Sequence, residues 1–388
     1  MYKEIDLNNY YFYNFPLPLK EKDYWEVCDL VVKSLKDNPN IKSIYLAGGK
    51  WVPGISDLDI LIVYHQKIKN RVNILSPWNL SKNARYIFCH NYGSYNEKSF
   101  RNIFYIIPPT SLKLLWGKTI PVHNPKNELS RENYQFLNAI LIFDILINKL
   151  LFFPSHLKSS KINVRALIGK IYSLKYTLEM LRYVGSYTIE TDFPERISKL
   201  RKIWFNRSRK ENLSELLSLY RESNDIVLEI VSKLSAFAQN QNLPMRNIIF
   251  KNRKYYIVFK SNWTKERFLN NFFQGYIYIK KPFSNRIIEN FKLVLPLPLS
   301  YFLMAYANYQ GPLSTWIKKS ITNFQKIVVP INRGIQKHIQ TTNDFVQSSI
   351  DHNGLFKIPF PYGYLVKKQK LLSYLGEKLI LFLRTIKK

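Results

Sequence analysis

Apolar residues recur at helical spacing across 21–36, where Tyr24, Trp25, Cys28, Val31, Val32 and Leu35 share one face, and Asn38-Pro39-Asn40 then ends the predicted helix. The pattern next turns to strands. Residues 42–46 form an apolar run, Gly48-Gly49 and a turn-rich loop follow, and a second strand opens with Asp57-Leu58-Asp59 and continues through Ile60, Leu61, Ile62, Val63 and Tyr64. Residues 1–19 read as a surface wrap and 66–83 as a polar loop. Apolar runs at 84–90 and 102–107, bounded by Asn91-Tyr92-Gly93 and Pro108-Pro109, predict further strands, and 111–116 predicts a short helix closed by a Gly117-Lys118 turn.

Beyond 125 the period becomes helical over 131–152, 163–184, 194–204 and 211–240, as in Leu213, Leu216, Leu217 and Tyr220. The last third predicts a hairpin over 246–260 turning at Lys251-Asn252-Arg253-Lys254 and a strand at 274–280. A proline-bearing segment at 293–312, a helix at 314–326, a polar linker over 331–354 and a basic amphipathic helix over 366–386 complete it. The expected fold class is α+β, with a small mixed-sheet domain over 1–125, a helical domain over 126–242 and a mixed α+β region over 243–388.

Composition narrows this picture. A chain of 388 residues has room for two or three domains, and its 46% hydrophobic content is that of a folded protein. The formal charge of +31 fits an anionic partner such as RNA, DNA, nucleotides or an anionic membrane surface, and equally a lysine-rich compositional habit. Cys28 and Cys89 lack ligand-type spacing, which argues against a zinc site or a disulfide framework. The start Met1-Tyr2-Lys3-Glu4-Ile5-Asp6 has no basic region leading into an apolar run, so a cytoplasmic location is expected. The longest uncharged stretch, 293–317, contains Pro296, Pro298, Asn308, Gln310, Gly311 and Pro312, which break a helix rather than let it span a bilayer.

The chemistry concentrates at 44–64. Side chains alternate along a strand, so Asp57 and Asp59 project together while Leu58, Ile60 and Ile62 point away. Neighbouring carboxylates repel unless a proton or a cation intervenes. Magnesium suits them, because it takes one or two carboxylates and leaves its other positions to water and phosphate oxygens. Gly48 and Gly49, lacking Cβ atoms, let backbone amides approach an anion. This order, a glycine pair, a short loop and Asp-x-Asp between apolar strands, resembles the signature of the polymerase-beta-type nucleotidyltransferase superfamily over residues 41–64.

The resemblance implies a small mixed-sheet nucleotidyltransferase domain followed by a helical domain. It implies two magnesium ions held by Asp57 and Asp59, and a nucleoside triphosphate held by Gly48 and Gly49. Gly49 stands where many relatives carry Ser, which leaves Lys50 or Ser56 to supply a side-chain contact. Lys170, Lys175 and Tyr176, near Arg165 in the helical region, match the Lys and Tyr that relatives place against triphosphate and base. The implied activity is transfer of a nucleoside monophosphate to an acceptor hydroxyl on RNA, a small molecule or a protein. The alternative is nucleotide or nucleic-acid binding without turnover.

Relatives commonly add a third carboxylate on a later strand, and here the chain departs from the pattern. Glu97, Glu128 and Glu132 are the nearest acids in sequence, and Asp144, inside the apolar run Leu141-Ile142-Phe143-Asp144-Ile145-Leu146, is the candidate for a third catalytic acid, with a half-exposed helix position as the other reading. His90 is a candidate general base. The basic run Lys199, Arg201, Lys202, Arg207, Arg209 and Lys210 reads as a solvated face or as a contact for nucleic-acid phosphates.

Overall fold

The computed structural model describes residues 10–65, 80–88, 93–158, 161–185, 187–239, 241, 248–251, 255–264, 276–277, 290–322 and 331–353. It mixes helices and strands, as the alternating periods predict. After β1 (Tyr11–Tyr13), α1 (Glu21–Leu35) begins where Asp23 Oδ2 accepts the Lys20 amide at 2.7 Å. β2 (Ile41–Ala47) and β3 (Asp59–Tyr64) pair antiparallel, with Ala47 opposite Asp59. Then come α2 (Lys82–Ile87), β4 (Gly93–Asn96), α3 (Glu97–Arg101), a 3-10 turn (Ile103–Tyr105) and β5 (Leu112–Gly117), which complete a sheet of order β4-β3-β2-β5.

This sheet is covered on both faces, which explains why β2 and β3 read as nearly unbroken apolar runs. Ile44, Leu46, Ile60, Ile62 and Tyr64 pack on Tyr24, Val27, Cys28 and Val31 of α1. Tyr45, Leu61 and Val63 point the other way, into a cluster with Tyr95, Phe100, Ile103 and Phe345. Asp59 shares its period with Leu61 and Val63, so it belongs to this second face, at the end where the strand begins.

Three short elements differ from expectation. β3 and β4 run parallel, and a parallel pair needs a crossover. The stretch expected as a strand at 84–90 serves that crossover as α2: Ser81 Oγ accepts from the Ala84 amide at 3.2 Å, and Ala84 and Ile87 are buried one turn apart. The run expected as a strand at 102–107 is the 3-10 turn, with Ile103 and Tyr105 buried; a short unbroken apolar run carries no period that separates the two. The helix expected at 111–116 is β5, which pairs antiparallel with β2. Gly117 makes that pairing possible, since its φ is +92° and a Cβ there would lie 2.2 Å from the Lys42 carbonyl oxygen.

The helical middle follows its periodicity: α4 (Pro125–Glu128), α5 (Arg131–Lys158), β6 (Lys161–Asn163), α6 (Val164–Tyr172), α7 (Leu174–Leu181), α8 (Phe193–Ile203) and α9 (Arg209–Ala238). α9 opens on a capping box, with Ser208 Oγ accepting from the Glu211 amide at 3.2 Å and Glu211 Oε2 accepting from the Ser208 amide at 2.8 Å. β7 (Ile248–Lys251) and β8 (Tyr255–Lys260) form the expected antiparallel pair, and with β9 (Tyr276–Ile277), β10 (Asn290–Pro296) and β11 (Ile321–Thr322) they give a second sheet of order β11-β7-β8-β10-β9.

The stretch at 293–317 supplies β10, the buried α10 (Ser300–Asn308) and α11 (Pro312–Ser320). Among the described residues no helix is long and apolar enough to cross a membrane. The polar linker expected at 331–354 is instead α12 (Arg333–Asn353). It escapes a hydropathy reading because His338, Thr341, Thr342 and Asn343 share its buried side with Ile335, Ile339, Phe345 and Val346. α12 packs against both β4 and α5. One apolar cluster joins α5 to α9 with β7, β8, β10 and α10 to α12, so the boundary expected at 242 separates elements that share a core. The closing helix expected at 366–386 lies outside the described residues, as does His90.

Candidate active site

Asp57 and Asp59 are both exposed, while Leu58 between them is fully buried, as the alternation requires. Asp59 faces Ala47 across the β2–β3 ladder, and the chain runs from Ala47 directly into Gly48 and Gly49. Acids and glycines therefore meet at one end of the sheet. Gly48 is fixed there: its amide donates to the Ser111 carbonyl at 3.0 Å, and the Ser111 hydroxyl donates to the Gly48 carbonyl. Its φ of +106° favours glycine, and the space beside it and beside Gly49 is open, with no atom within 4 Å of either Cβ position. Gly49 and Lys50 are exposed at this rim.

The loop leading into Asp57 is tied down by side chains from three directions. Val52 O accepts from the Ile55 and Ser56 amides, each at 3.0 Å. From α1, Tyr24 OH donates to the Ser56 carbonyl at 2.7 Å and accepts from the Gly54 amide at 3.1 Å. Burial pushes the Tyr24 phenol up to about 12, so this hydroxyl keeps its proton and its donor role. From α2, Tyr86 OH donates to the Gly54 carbonyl. From α6, Arg165 donates through Nε to Ile55 O at 3.1 Å, through Nη2 to Ser56 O at 2.7 Å, and through Nη1 to Tyr86 O, with its guanidinium 3.8 Å from the centre of the Tyr86 ring.

Arg201 of α8 completes the corner. Its Nη2 donates to Ser56 Oγ at 2.9 Å, and its guanidinium lies 3.7 Å from the centre of the Tyr172 ring. Burial lowers its pKa, opposed by Tyr172, Tyr176 and Asp57, which places the Asp57 carboxylate within its field. Ser56 Oγ also accepts from the Val52 amide at 3.0 Å, so this hydroxyl is engaged in shaping the loop. Tyr176 is part of the same corner, its ring centre 6.0 Å from that of Tyr172, and burial raises its phenol to about 12. Lys170 is half-buried on α6, and Lys175 pairs with Glu179 at 3.8 Å.

Arg165 and Arg201 are the residues whose part at this site the sequence conceals. Their one local signal is an arginine on the apolar stripe of its helix, beside Val164 and Ile168 in α6 and beside Ile197 and Leu200 in α8. Arg201 thereby leaves the solvated basic run, whose Lys199, Lys202, Arg209 and Lys210 are exposed.

Of the acids considered for a third ligand, Glu132 is exposed at the start of α5 and the other three are engaged elsewhere. Glu97 holds Lys42 and Arg101, whose hydrogen bonds lower its pKa. Glu128 accepts from Tyr105 OH at 3.1 Å and meets His123 Nδ1 at 2.7 Å. Asp144 is buried, contrary to a half-exposed helix position: its Oδ2 accepts from Tyr306 OH at 2.8 Å and lies 3.1 Å from His338 Nε2, while Oδ1 has no hydrogen-bond partner. His338 Nδ1 meets the Tyr105 carbonyl, which fixes a polar pin between α5, α10, α12 and the 3-10 turn. Among the described residues no three His, Cys, Asp or Glu side chains are grouped to hold a metal ion.

The pin carries a pH signature. Burial raises the Asp144 pKa, and His338 and Tyr306 oppose that shift without cancelling it. Above the unfolded value of about 3.9 the folded state therefore binds more protons than the unfolded chain, and stability falls as pH rises through the raised folded value. Glu97, depressed by Lys42 and Arg101, tilts the curve the other way. The quantity to read is thus the difference between wild type and Asp144→Asn in urea melts from pH 4 upward. Wild type is expected to lose stability relative to the variant as pH rises; a flat difference would contradict the protonation of Asp144 inferred from its burial.

No family model matches this chain, and no match to it is found among the curated proteins or the solved structures.

Proposed function

We propose that this protein is a magnesium-dependent nucleotidyltransferase, moving a nucleoside monophosphate from a triphosphate to an acceptor hydroxyl. The observation that carries the reading is the pairing of exposed Asp57 and Asp59 with the glycines that follow Ala47, directly across the ladder from Asp59. Two exposed carboxylates two residues apart, where the chain enters β3, fit a magnesium ion, and the space open among the described residues at Gly48 and Gly49 fits a phosphate chain. Bound there, magnesium would neutralise charge on the phosphate oxygens.

The chain's own residues account for the rest. In this reading the Gly49 amide and Lys50 hold the triphosphate while the Gly48 amide stays on Ser111, Asp57 and Asp59 hold the cation, and Tyr176 borders the nucleotide. The acceptor oxygen forms a bond to the α-phosphorus as the bond to the β-phosphate bridge breaks, pyrophosphate leaves, and the hydroxyl proton passes to a base. The charge of +31 favours RNA over smaller acceptors. The second reading, binding without turnover, draws support from the lack of a third acid beside the pair among the described residues.

The test is incubation of the full chain with each labelled nucleoside triphosphate and magnesium, against total RNA and against pools of small hydroxylated molecules. Label transfer supports the enzyme, nucleotide binding without transfer supports the second reading, and neither overturns both. Gly49→Ala refines it. Among the described residues nothing obstructs a methyl at Gly49, so unfolding is expected to shift by no more than about 0.5 kcal/mol. Nucleotide affinity, read by titration, is expected to fall by about tenfold, because the methyl occupies space the phosphates use. Unchanged affinity would remove Gly49 from the site.

A further inference from the structure

We infer that Arg165 and Arg201 are positioning residues, a pair of guanidinium groups delivered by α6 and α8 that hold the 52–56 turn so that Asp57 emerges beside Asp59. This rests on the proposed function and deepens it, because it makes the helical region part of the metal-binding geometry rather than a neighbour of it. Arg165 donates to the carbonyls of Ile55 and Ser56, the last two residues before Asp57, and Arg201 donates to the Ser56 hydroxyl. Each guanidinium also stacks on an aromatic ring, Tyr86 and Tyr172 respectively, which fixes its plane.

The arrangement is costly for a simple staple. Both arginines are about nine-tenths buried, and among the described residues the Arg201 Nε has no hydrogen-bond partner. A buried donor left unmade works against folding, and an apolar residue on the same stripe of α8 would avoid that cost. What an apolar residue does not supply is a fixed donor to Ser56, the residue before Asp57, and with it a set direction for the chain entering the metal ligand. Lysine keeps the charge but lacks the planar fork that reaches two carbonyls at once.

The experiment compares wild type, Arg201→Lys, Arg165→Lys and Ser56→Ala by three readings: hydrogen exchange of residues 50–58, affinity for manganese alone, and label transfer at varied magnesium. Ser56→Ala removes the partner of Arg201 together with the Val52 amide's acceptor, so faster exchange is assigned to the clamp only where an arginine variant reproduces it, and unchanged exchange in Ser56→Ala counts against the clamp even if an arginine variant fails to fold. Expected are a rise of at least tenfold in exchange at 52–57 with α9 unchanged, weaker manganese binding, and transfer partly restored by high magnesium. Adding Arg201→Lys to Ser56→Ala should give less than the sum of the two, since both cut the Arg201–Ser56 bond, Ser56→Ala cutting the Val52 amide bond as well. Unchanged exchange overturns the clamp. Faster exchange with unchanged manganese affinity and transfer leaves a staple and overturns the positioning role. If wild type itself transfers no label and binds no manganese, the proposed function fails instead, and the exchange reading still decides whether the clamp exists.

Discussion

Asp57→Asn and Asp59→Asn are each expected to cut nucleotidyl transfer by on the order of a thousandfold, while leaving the protein folded. The size follows from what the carboxylates hold: a cation in such a site stabilises developing charge by several kcal/mol, and each 1.36 kcal/mol is a factor of about ten in rate. The indifference of the fold follows from exposure. Both side chains face solvent at the open end of β3, whereas Leu58 between them is buried in the α1 face of the sheet and would not tolerate the same treatment. Asparagine keeps the shape and relieves the repulsion of a like-charged pair, while at Asp57 it also gives up the attraction of the Arg201 guanidinium, so without magnesium Asp57→Asn should be no more stable than Asp59→Asn. Magnesium should then raise the melting temperature of wild type in the presence of nucleotide and leave both variants unmoved. Initial rates and melting curves with and without magnesium check the two halves separately. Transfer that survives both substitutions would take the chemistry away from this strand.

What the sequence discloses and what it hides divide along a physical line. β2, β3, α1 and α9 are legible because each is long enough for its period to show, and α9 adds the Ser208–Glu211 box at its start. The acids and glycines are legible for the same reason: they are fixed by strand alternation and by neighbours a few residues away. α2, the 3-10 turn and β5 are short, and their apolar runs fit helix and strand equally until pairing decides. α12 is hidden for another reason. Its buried side carries His338, Thr341, Thr342 and Asn343, whose partners are supplied by distant segments; His338 meets Asp144 across 194 positions and Tyr105 across 233. The clamp is of the same kind, since Arg165 reaches Ile55 across 110 positions and Arg201 reaches Ser56 across 145. Polar groups paired over such separations look like surface residues in a local reading, and only the closed fold shows what they satisfy.

Gly54→Ala is the substitution expected to damage fold and function together, in contrast to Gly49→Ala on the same loop. Gly54 has φ +79°, a region that costs a side-chain-bearing residue about 1–2 kcal/mol, and its Cβ would lie 1.8 Å from the Leu17 carbonyl oxygen. That oxygen is backbone and cannot rotate aside, so either the 15–19 stretch or the loop must move by more than 1 Å. Moving the loop strains the Gly54 amide bond to Tyr24 and the Tyr86 bond to the Gly54 carbonyl, the same contacts that set the path into Asp57. Overpacking of this kind adds about 1–3 kcal/mol, for a total loss of about 2–5 kcal/mol in denaturant unfolding. The displacement should also appear in catalysis, because a shift of about 1 Å in a positioned group can cost on the order of a hundredfold. Comparing unfolding midpoints with transfer rates at a temperature where the variant remains folded separates the two losses. A Gly54→Ala protein as stable and as active as wild type would mean that the loop has another path to Asp57, and that the contacts from Tyr24, Tyr86 and Arg165 do not determine where that carboxylate points.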